Sequence, residues 1–179
     1  MKQLIQATLL VHTTLVLAID RTSNPDLNTR LRLATTVYDR HSILSNDIAW
    51  TYDFTTAQPI EAFRPGSVKN ANAATFPALT GVDMTMAQLN LGPCAMLPPH
   101  EHPRGTNLVT AVTGNTTSYM WNENGVGRVT VNLTPGIMTV FPRGSLHAMQ
   151  NNGEPLRFFV FSCRSPVLQA VIMPSLSAP

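Results

Sequence analysis

The chain has 179 residues, of which 44% are hydrophobic and only 12% are charged, and its formal net charge is +2. This composition excludes a disordered chain, because such chains are much poorer in apolar residues. It also argues against a nucleic-acid partner, since the small positive charge forms no basic stripe. The length fits one domain with a hydrophobic core. Two cysteines, Cys94 and Cys163, are too few for a disulfide scaffold or a zinc finger, and they form either one disulfide or two buried thiols.

The N-terminus has the layout of a secretory signal peptide: Lys2, an apolar run, and small residues at a cleavage position. We therefore expect residues 1–18 to be a signal peptide and the protein to be secreted. The alternative is an apolar N-terminal helix that stays on the protein. The run is too short and too interrupted to span a bilayer. In an exported chain, the acceptor sequences at Asn115 and Asn132 predict N-glycosylation, although Pro135 follows the second one directly.

Residues 19–80 are expected to form an N-terminal helix and an extended segment that pack on a barrel. The Asn-Pro-Asp run at 24–26 is a typical helix start, with an N-cap, a proline at the first helical position and an acid in the first turn. Apolar residues at helical spacing then predict a helix over 26–40.

The second half of this region is more irregular, with prolines that interrupt any long element. The alternating aromatic residues at 50, 52 and 54 predict a short strand. Residues 70–78 are expected to form an ordered loop across the barrel, with Phe76 buried.

From residue 81 to residue 162 the pattern becomes that of an all-β domain. Short runs rich in Val, Thr, Leu, Met and Phe alternate with turn signals, which favours an antiparallel sandwich or a small barrel. A tight hairpin is expected at 123–125, and residues 163–179 are left as a short tail. The predicted strands cover residues 83–91, 106–113, 116–122, 127–133, 137–141, 147–150 and 156–162.

Three of the five histidines fall in two short segments. His100 and His102 are two residues apart, so on a strand both rings face one side and both can point into a barrel. His147 follows a turn and can supply a third ligand from another strand. Imidazole suits zinc, copper, iron, nickel and, with oxygen ligands, manganese, so we interpret the three as a metal site; the alternative is hydrogen-bonded core histidines. His12 and His41 receive no role.

These two segments resemble the paired motifs of germin-like cupins. The first family motif contains a glycine, H-x-H, a glutamate and a second glycine. Here it reads Gly92, His100-x-His102, Asn107 and Gly114, so an asparagine stands at the position of the glutamate. The second family motif, G-x5-P-x-G-x2-H-x3-N, is matched throughout by Gly136, Pro142, Gly144, His147 and Asn151.

Residues 24–162 also look like fungal and slime-mould spherulin-like secreted cupins. The resemblance implies a double-stranded β-helix, the cupin jelly-roll barrel, preceded here by a short N-terminal helix. It implies a mononuclear divalent metal, most often manganese, bound in the family by three His and one Glu. It further implies a small-molecule substrate and a possible homo-oligomer.

Carried onto this chain, the family ligands are His100, His102, His147 and Asn107. A neutral amide should weaken divalent-metal binding, which disfavours oxalate oxidation and suits a Lewis-acid role or a site that has lost catalysis. The main hypothesis is therefore a secreted metal-dependent cupin that acts on a small oxygenated organic molecule, by oxidation or Lewis-acid catalysis. The alternatives are a non-catalytic extracellular storage, stress or cell-wall protein, and a cyclase or isomerase of fungal secondary metabolism.

The residues around such a metal are harder to predict. Met86, Met120 and Met138 are expected to line the pocket, although each can also be ordinary core. Arg104 is placed near the mouth, where it can bind a carboxylate or remain solvated.

Overall fold

The computed structural model describes residues 20–57, 65–153, 156–163 and 171–172. The expected signal peptide, residues 1–18, lies outside these ranges. The α-helices are α1 (Pro25–Leu33) and α2 (Val37–Ile43), with 3₁₀ helices at Asp47–Trp50 and Pro77–Leu79. The strands are β1 (Gly66–Ala71), β2 (Met84–Leu91), β3 (Met96–Glu101), β4 (Thr106–Thr113), β5 (Thr116–Trp121), β6 (Val129–Leu133), β7 (Met138–Phe141), β8 (Leu146–Asn151), β9 (Leu156–Cys163) and β10 (Val171–Ile172).

The N-terminal helix begins as predicted, but it is interrupted. The Asn24 side chain accepts a hydrogen bond from the Leu27 N–H at 3.0 Å, as an N-cap should. The single helix expected over 26–40 is wrong, because the chain forms two helices. Thr36 caps the second one by accepting from the Asp39 N–H at 3.0 Å. A threonine hydroxyl bonds local backbone in preference to continuing a helix, so the chain extends and then restarts.

These helices form a small hydrophobic cluster of their own beside the barrel. Leu31 and Leu44 are buried against Ala78, which lies in the second 3₁₀ helix. The Arg40 guanidinium also donates to the Ala78 carbonyl oxygen. Phe76 packs against this cluster but is only half-buried, so its predicted burial is wrong in degree.

The strand predicted at residues 50–54 is also wrong. A 3₁₀ helix ends at Trp50, and a turn follows without strand pairing. The aromatic side chains are anchored by hydrogen bonds instead: the Trp50 indole N–H donates to the Leu44 carbonyl oxygen at 2.9 Å, and the Tyr52 hydroxyl donates to the Asn70 carbonyl oxygen at 2.6 Å. The aromatic residues alternate in sequence because Trp50 and Tyr52 each make a separate hydrogen bond, and not because they lie on a strand.

Two five-stranded antiparallel sheets form the rest of the structure. Their strand orders are β1-β2-β9-β4-β7 and β10-β3-β8-β5-β6. Apart from β1–β2 and β5–β6, every two consecutive strands lie in different sheets, which is the connectivity of a double-stranded β-helix. The predicted all-β jelly-roll barrel is therefore confirmed.

The seven predicted strands all exist, with ends within two residues of the prediction. Three further strands, β1, β3 and β10, were absent from that set. The sequence of β1 is too polar to resemble a strand, and β3 contains Pro98 and Pro99, which coincide with an irregular register against β8. Strands β1 and β10 lie outside residues 81–162 and pair with β2 and β3, so the sheets extend into both flanking segments.

The hydrophobic core lies inside the barrel. Alternation along the strands turns one face of each sheet inward and buries aliphatic side chains from both sheets. The buried cluster consists of Leu89, Leu91, Ala95, Val109, Ala111, Met120, Leu133, Phe141 and Met149. No described helix has both the length and the apolar character that a membrane crossing requires.

Candidate metal centre

Strand β3 and the residue after it carry the first two histidines. His100 and His102 are 4% and 8% exposed, whereas Glu101 between them is half-buried. The i, i+2 spacing therefore turns both rings into the barrel and the carboxylate away from them, as alternation along an extended chain requires.

His147 lies on β8 directly opposite His100 in the β3–β8 ladder. A tight turn precedes it, closed by a hydrogen bond from the Ser145 N–H to the Pro142 carbonyl oxygen at 3.0 Å. Gly144, with φ +77°, supplies the left-handed residue that such a turn needs. Its N–H donates to the His102 carbonyl oxygen at 3.0 Å, so the turn also ties the two histidine segments together.

The three imidazoles converge inside the barrel. Their ligand atoms all lie within 4.8 Å of one another, and all three residues are buried. The ring centroids of His100 and His147 are 4.3 Å apart, and that of His102 lies 5.0 and 5.2 Å from them. Within the described part of the chain, these histidines form the one group of three or more His, Cys, Asp or Glu that could hold a metal ion.

Backbone oxygens orient two of the rings. Nδ1 of His100 lies 2.8 Å from the Pro98 carbonyl oxygen, and Nδ1 of His147 lies 2.9 Å from the Ser145 carbonyl oxygen. A carbonyl can only accept, so Nδ1 must carry the proton in both rings. The lone pair of each neutral ring is then on Nε2, which remains available to a metal.

The electrostatics keep these rings neutral. Burial lowers the pKa of His100 below its usual 6.5. Burial, and then the nearby His100, lower the pKa of His147 to about 3, against the opposing hydrogen bond to the Ser145 carbonyl oxygen. A neutral imidazole binds a metal without first losing a proton, so the site is competent at neutral pH.

Asn107 lies on the neighbouring sheet next to these rings. The Phe141 ring stacks on His147, with centroids 4.0 Å apart and planes 11° apart, and Asn107 is directly opposite Phe141 in the β4–β7 ladder. Asn107 is 1% exposed, yet neither Oδ1 nor Nδ2 has a hydrogen-bond partner. Buried amides are nearly always bonded, so these two unpartnered atoms make Asn107 a candidate ligand residue beside the imidazoles.

Of the other residues predicted to line the pocket, strand alternation turns one methionine inward and two outward. Met120 is buried, as predicted. Met138 is 60% exposed, and Met86 is half-buried on the face opposite to that of the buried residues of β2, so these two predictions are wrong. Arg104 is exposed, and the exposed His41 packs its ring against Trp50, 4.9 Å between centroids.

Sequence reasoning missed one inward residue near this end of the barrel. Thr85 on β2 is 2% exposed, and its hydroxyl has no hydrogen-bond partner. The period-two pattern of β2 was the available signal, since it turns Thr85 inward with Ala87, Leu89 and Leu91.

The cysteines do not form the disulfide that the sequence allowed. Cys94 is a free and exposed thiol, so the alternative of burial is wrong for it as well. Cys94 lies three residues after Leu91, and Leu91 pairs with Leu156 at the start of β9. Cys163 lies at the other end of that strand. The two ends of β9 are about 23 Å apart, which is far beyond the reach of a disulfide.

Comparison with known proteins defines the class. The Cupin family profile matches residues 54–176. A Germin-like protein 1 from Brassica napus is 38% identical over 111 residues, which are 60% of this chain and 50% of that protein. Germin-like protein subfamily 3 member 1 from Arabidopsis thaliana is 36% identical over 106 residues, which are 58% and 50% of the two chains. The chain therefore spans about half the length of these curated relatives.

A solved structure described as oxalate oxidase in complex with the substrate analogue glycolate has the same fold. Its TM-score is 0.66 at 23% identity, over 74% of this chain and 67% of that one. A jelly roll that turns three imidazoles into its interior has a donor set that could hold a metal ion. The chain belongs to the cupin family and, within it, to the germin-like cupins.

Proposed function

We propose that this cupin binds one divalent metal ion through His100, His102 and His147, with the Asn107 amide oxygen as a fourth ligand. The single observation that carries the proposal is the convergence of three buried imidazoles within 4.8 Å. Manganese is the ion that the family resemblance favours, and zinc, iron, copper and nickel share the preference for imidazole.

The proposed activity is the transformation of a small oxygenated organic molecule inside the barrel. When bound, a divalent ion would polarise a carbonyl or carboxylate oxygen of the substrate, in an oxidation or a Lewis-acid reaction. His100 and His147 bind as neutral donors, held in orientation by their backbone acceptors. Asn107 offers its oxygen to the ion and its N–H groups to the substrate, and the buried walls exclude bulk water.

The proposal includes a setting outside the cell, with residues 1–18 as a signal peptide. The exposed positions of Asn115, at the β4–β5 turn, and Asn132, on β6, support glycosylation there. Leu108 and Val140 face solvent side by side on β4 and β7, which supports association into a homo-oligomer. Peptide mapping before and after glycan removal tests the first point, and light scattering tests the second.

The deciding experiment measures metal in the protein purified from its own source and in two variants. We expect about one ion per chain in the wild type, almost none in His100→Ala, and an unchanged content in His41→Ala, the matched control with an exposed ring. Both variants should keep a cooperative melt. A metal-free wild-type protein, or full metal in His100→Ala, contradicts the proposal.

Catalysis is tested separately from binding. The metal-loaded wild type is incubated with small carboxylic, hydroxy and keto acids, and substrate loss and products are followed by chromatography with mass detection. We expect turnover that disappears in His100→Ala. Full metal without any turnover would favour the non-catalytic extracellular protein, for which the neutral Asn107 is the supporting observation.

A further inference from the structure

The outer face of the second sheet carries the two glycosylation acceptor sequences side by side. Asn115 directly precedes β5, and Thr117, the hydroxyl residue of its acceptor sequence, is opposite Asn132 on β6. The Asn152 amide donates to Oδ1 of Asn115 at 3.0 Å and to the Thr117 hydroxyl at 2.9 Å. The Asn115 side chain therefore lies on the same face as Thr117. These bonds use its oxygen, whereas an N-linked glycan is attached at Nδ2.

Two aromatic side chains follow on the same face of β5. Buried residues alternate with outward ones along this strand, so Tyr119 and Trp121 share the outer face with Thr117. Both residues are half-buried, with ring centroids 6.4 Å apart and planes 26° apart. The exposed Arg128 guanidinium lies over the Tyr119 ring, 5.3 Å from its centroid, and donates to the Thr130 hydroxyl at 3.1 Å. We call Tyr119, Trp121 and Arg128 the aromatic strip.

A groove of about 460 Å³ lies at the far end of the aromatic strip. Its apolar wall consists of Trp121, Pro99 and Leu146, and the hairpin residues 122–126 add two amides and a carboxylate. Such a groove suits a ligand with one apolar face and polar groups around its edge. A pyranose sugar has this character, because its axial C–H groups pack on the negative face of an aromatic ring while its hydroxyls bond to polar side chains.

The aromatic strip lies within reach of a glycan on Asn115. Tyr119 and Trp121 are four and six residues beyond Asn115, which along an extended strand is about 13 Å and about 20 Å. The linked rings of the inner sugars of an N-linked glycan cover such a length. Because the glycan is attached covalently, it meets the strip at a high effective concentration, so a weak stacking contact is enough. Asn132 also lies near the strip, but Pro135 directly follows its acceptor sequence.

We infer that a glycan attached to Asn115 runs along β5 and stacks on Tyr119 and Trp121, an inference that rests on the export and glycosylation proposed above. The aromatic strip is thus an intramolecular carbohydrate-binding site. Sugar C–H groups pack on the two rings, and the Arg128 N–H groups and the hairpin amides donate to sugar hydroxyls. The glycan covers apolar surface on this sheet in place of a protein partner.

Quenching of tryptophan fluorescence by acrylamide tests the inference, because the chain has two tryptophans. The full chain is secreted from a yeast host that adds high-mannose glycans, and mass spectrometry of glycopeptides measures the occupancy of Asn115 and Asn132. Trp50→Phe leaves Trp121 as the reporter, and the matched control Trp121→Phe leaves Trp50. Each protein is measured intact and after an endoglycosidase has trimmed its glycans to a single N-acetylglucosamine.

We expect the quenching constant of Trp121 to rise severalfold on trimming, because the stacked sugars no longer shield the indole, and that of Trp50 to stay the same. In the Trp50→Phe background, Asn115→Gln should reproduce the trimmed value and Asn132→Gln should keep the intact one. If Trp50→Phe does not fold, the difference between wild type and Trp121→Phe supplies the signal of Trp121.

Three results overturn the inference. The first is an unchanged quenching of Trp121 on trimming. The second is a loss of protection in Asn132→Gln and not in Asn115→Gln. The third is a protection that depends on protein concentration, since a second copy of the chain would then cover the aromatic strip. An unoccupied Asn115 refutes the proposed glycosylation itself, and mass spectrometry separates that result from the others.

Discussion

Two buried asparagines, each 1% exposed, lie at opposite ends of the barrel interior, and they differ in their hydrogen bonds. Asn151, four residues beyond His147 on β8, donates to the carbonyl oxygens of Leu91 and Gly92 at 3.1 and 2.8 Å, and its own oxygen accepts from the Gly153 N–H at 3.0 Å. Asn107 makes no hydrogen bond with either polar atom. The same side chain thus stabilises the fold at one end and is left for a ligand at the other.

The surroundings of the two asparagines also differ: they are apolar around Asn151 and polar around Asn107. Around Asn151 the interior is filled by the aliphatic cluster, and the amide joins the end of β8 to the turn after β2. Around Asn107 the interior carries imidazoles and an unbonded hydroxyl. Buried amides are nearly always hydrogen-bonded, so the comparison separates the structural amide of Asn151 from the amide of Asn107 in the candidate metal centre. The predictions below test that separation.

The largest effect is expected from acid, which acts on the imidazole end. Since the pKa of His147 in the folded state is about 3 and the usual value is 6.5, the unfolded chain binds more protons between these values. The free energy of unfolding is therefore undiminished above pH 6.5 and falls as the pH falls toward 3. We expect the melting temperature of the metal-free protein to drop by about 10 °C between pH 7 and pH 4, measured by calorimetry.

The control for this effect is His147→Asn, which lacks the titrating ring. Its melting temperature should depend less steeply on pH between 6.5 and 4 than that of the wild type. Equal slopes for the two proteins would mean that carboxylates elsewhere, and not the buried imidazole, cause the acid sensitivity.

Asn151→Ala should have the next largest effect, and on stability alone. It leaves the buried carbonyl oxygen of Leu91 and the half-buried one of Gly92 without their amide donor, which should cost about 2–4 kcal/mol in the free energy of unfolding measured in urea. Metal content should stay at the wild-type value, because the metal ligands lie at the other end. Loss of metal from a still-folded Asn151→Ala would break the proposed separation of the two ends.

Asn107→Glu restores the acid that the family motif carries at this position. We expect divalent-metal affinity to rise by on the order of tenfold or more, because a carboxylate adds an anionic ligand. Competition with a metal-sensitive dye measures this change. Unchanged metal affinity would place residue 107 outside the ligand set.

The smallest effect is expected for Asn107→Leu in the metal-free protein. Replacing an unbonded buried amide by an apolar side chain of similar size should raise the free energy of unfolding by about 1 kcal/mol. Asn151→Leu provides the matched comparison and should be destabilising. A stability loss in Asn107→Leu as large as that in Asn151→Leu would show that both amides serve the fold.

Much of the barrel could be predicted from local patterns. Period-two alternation and turn residues located seven strands, and the H-x-H spacing with the second motif located the three histidines. The errors occurred where tertiary contacts override local preference. Prolines concealed β3, polar residues concealed β1, and the threonine cap at Thr36 divided a helix that spacing alone would continue.

The sequence by itself determined the all-β class, which rests on short-range periodicity. It also pointed to the three histidines, through the H-x-H spacing and the motifs that resemble those of germin-like cupins. Only the tertiary structure decided that Asn151 is hydrogen-bonded while Asn107 is not, and that Asn107 lies opposite Phe141, whose ring stacks on His147. Those facts depend on strand register between segments far apart in the chain, and register follows from packing of the whole barrel. Hydrogen-bond satisfaction is a property of that assembled interior and not of any one segment.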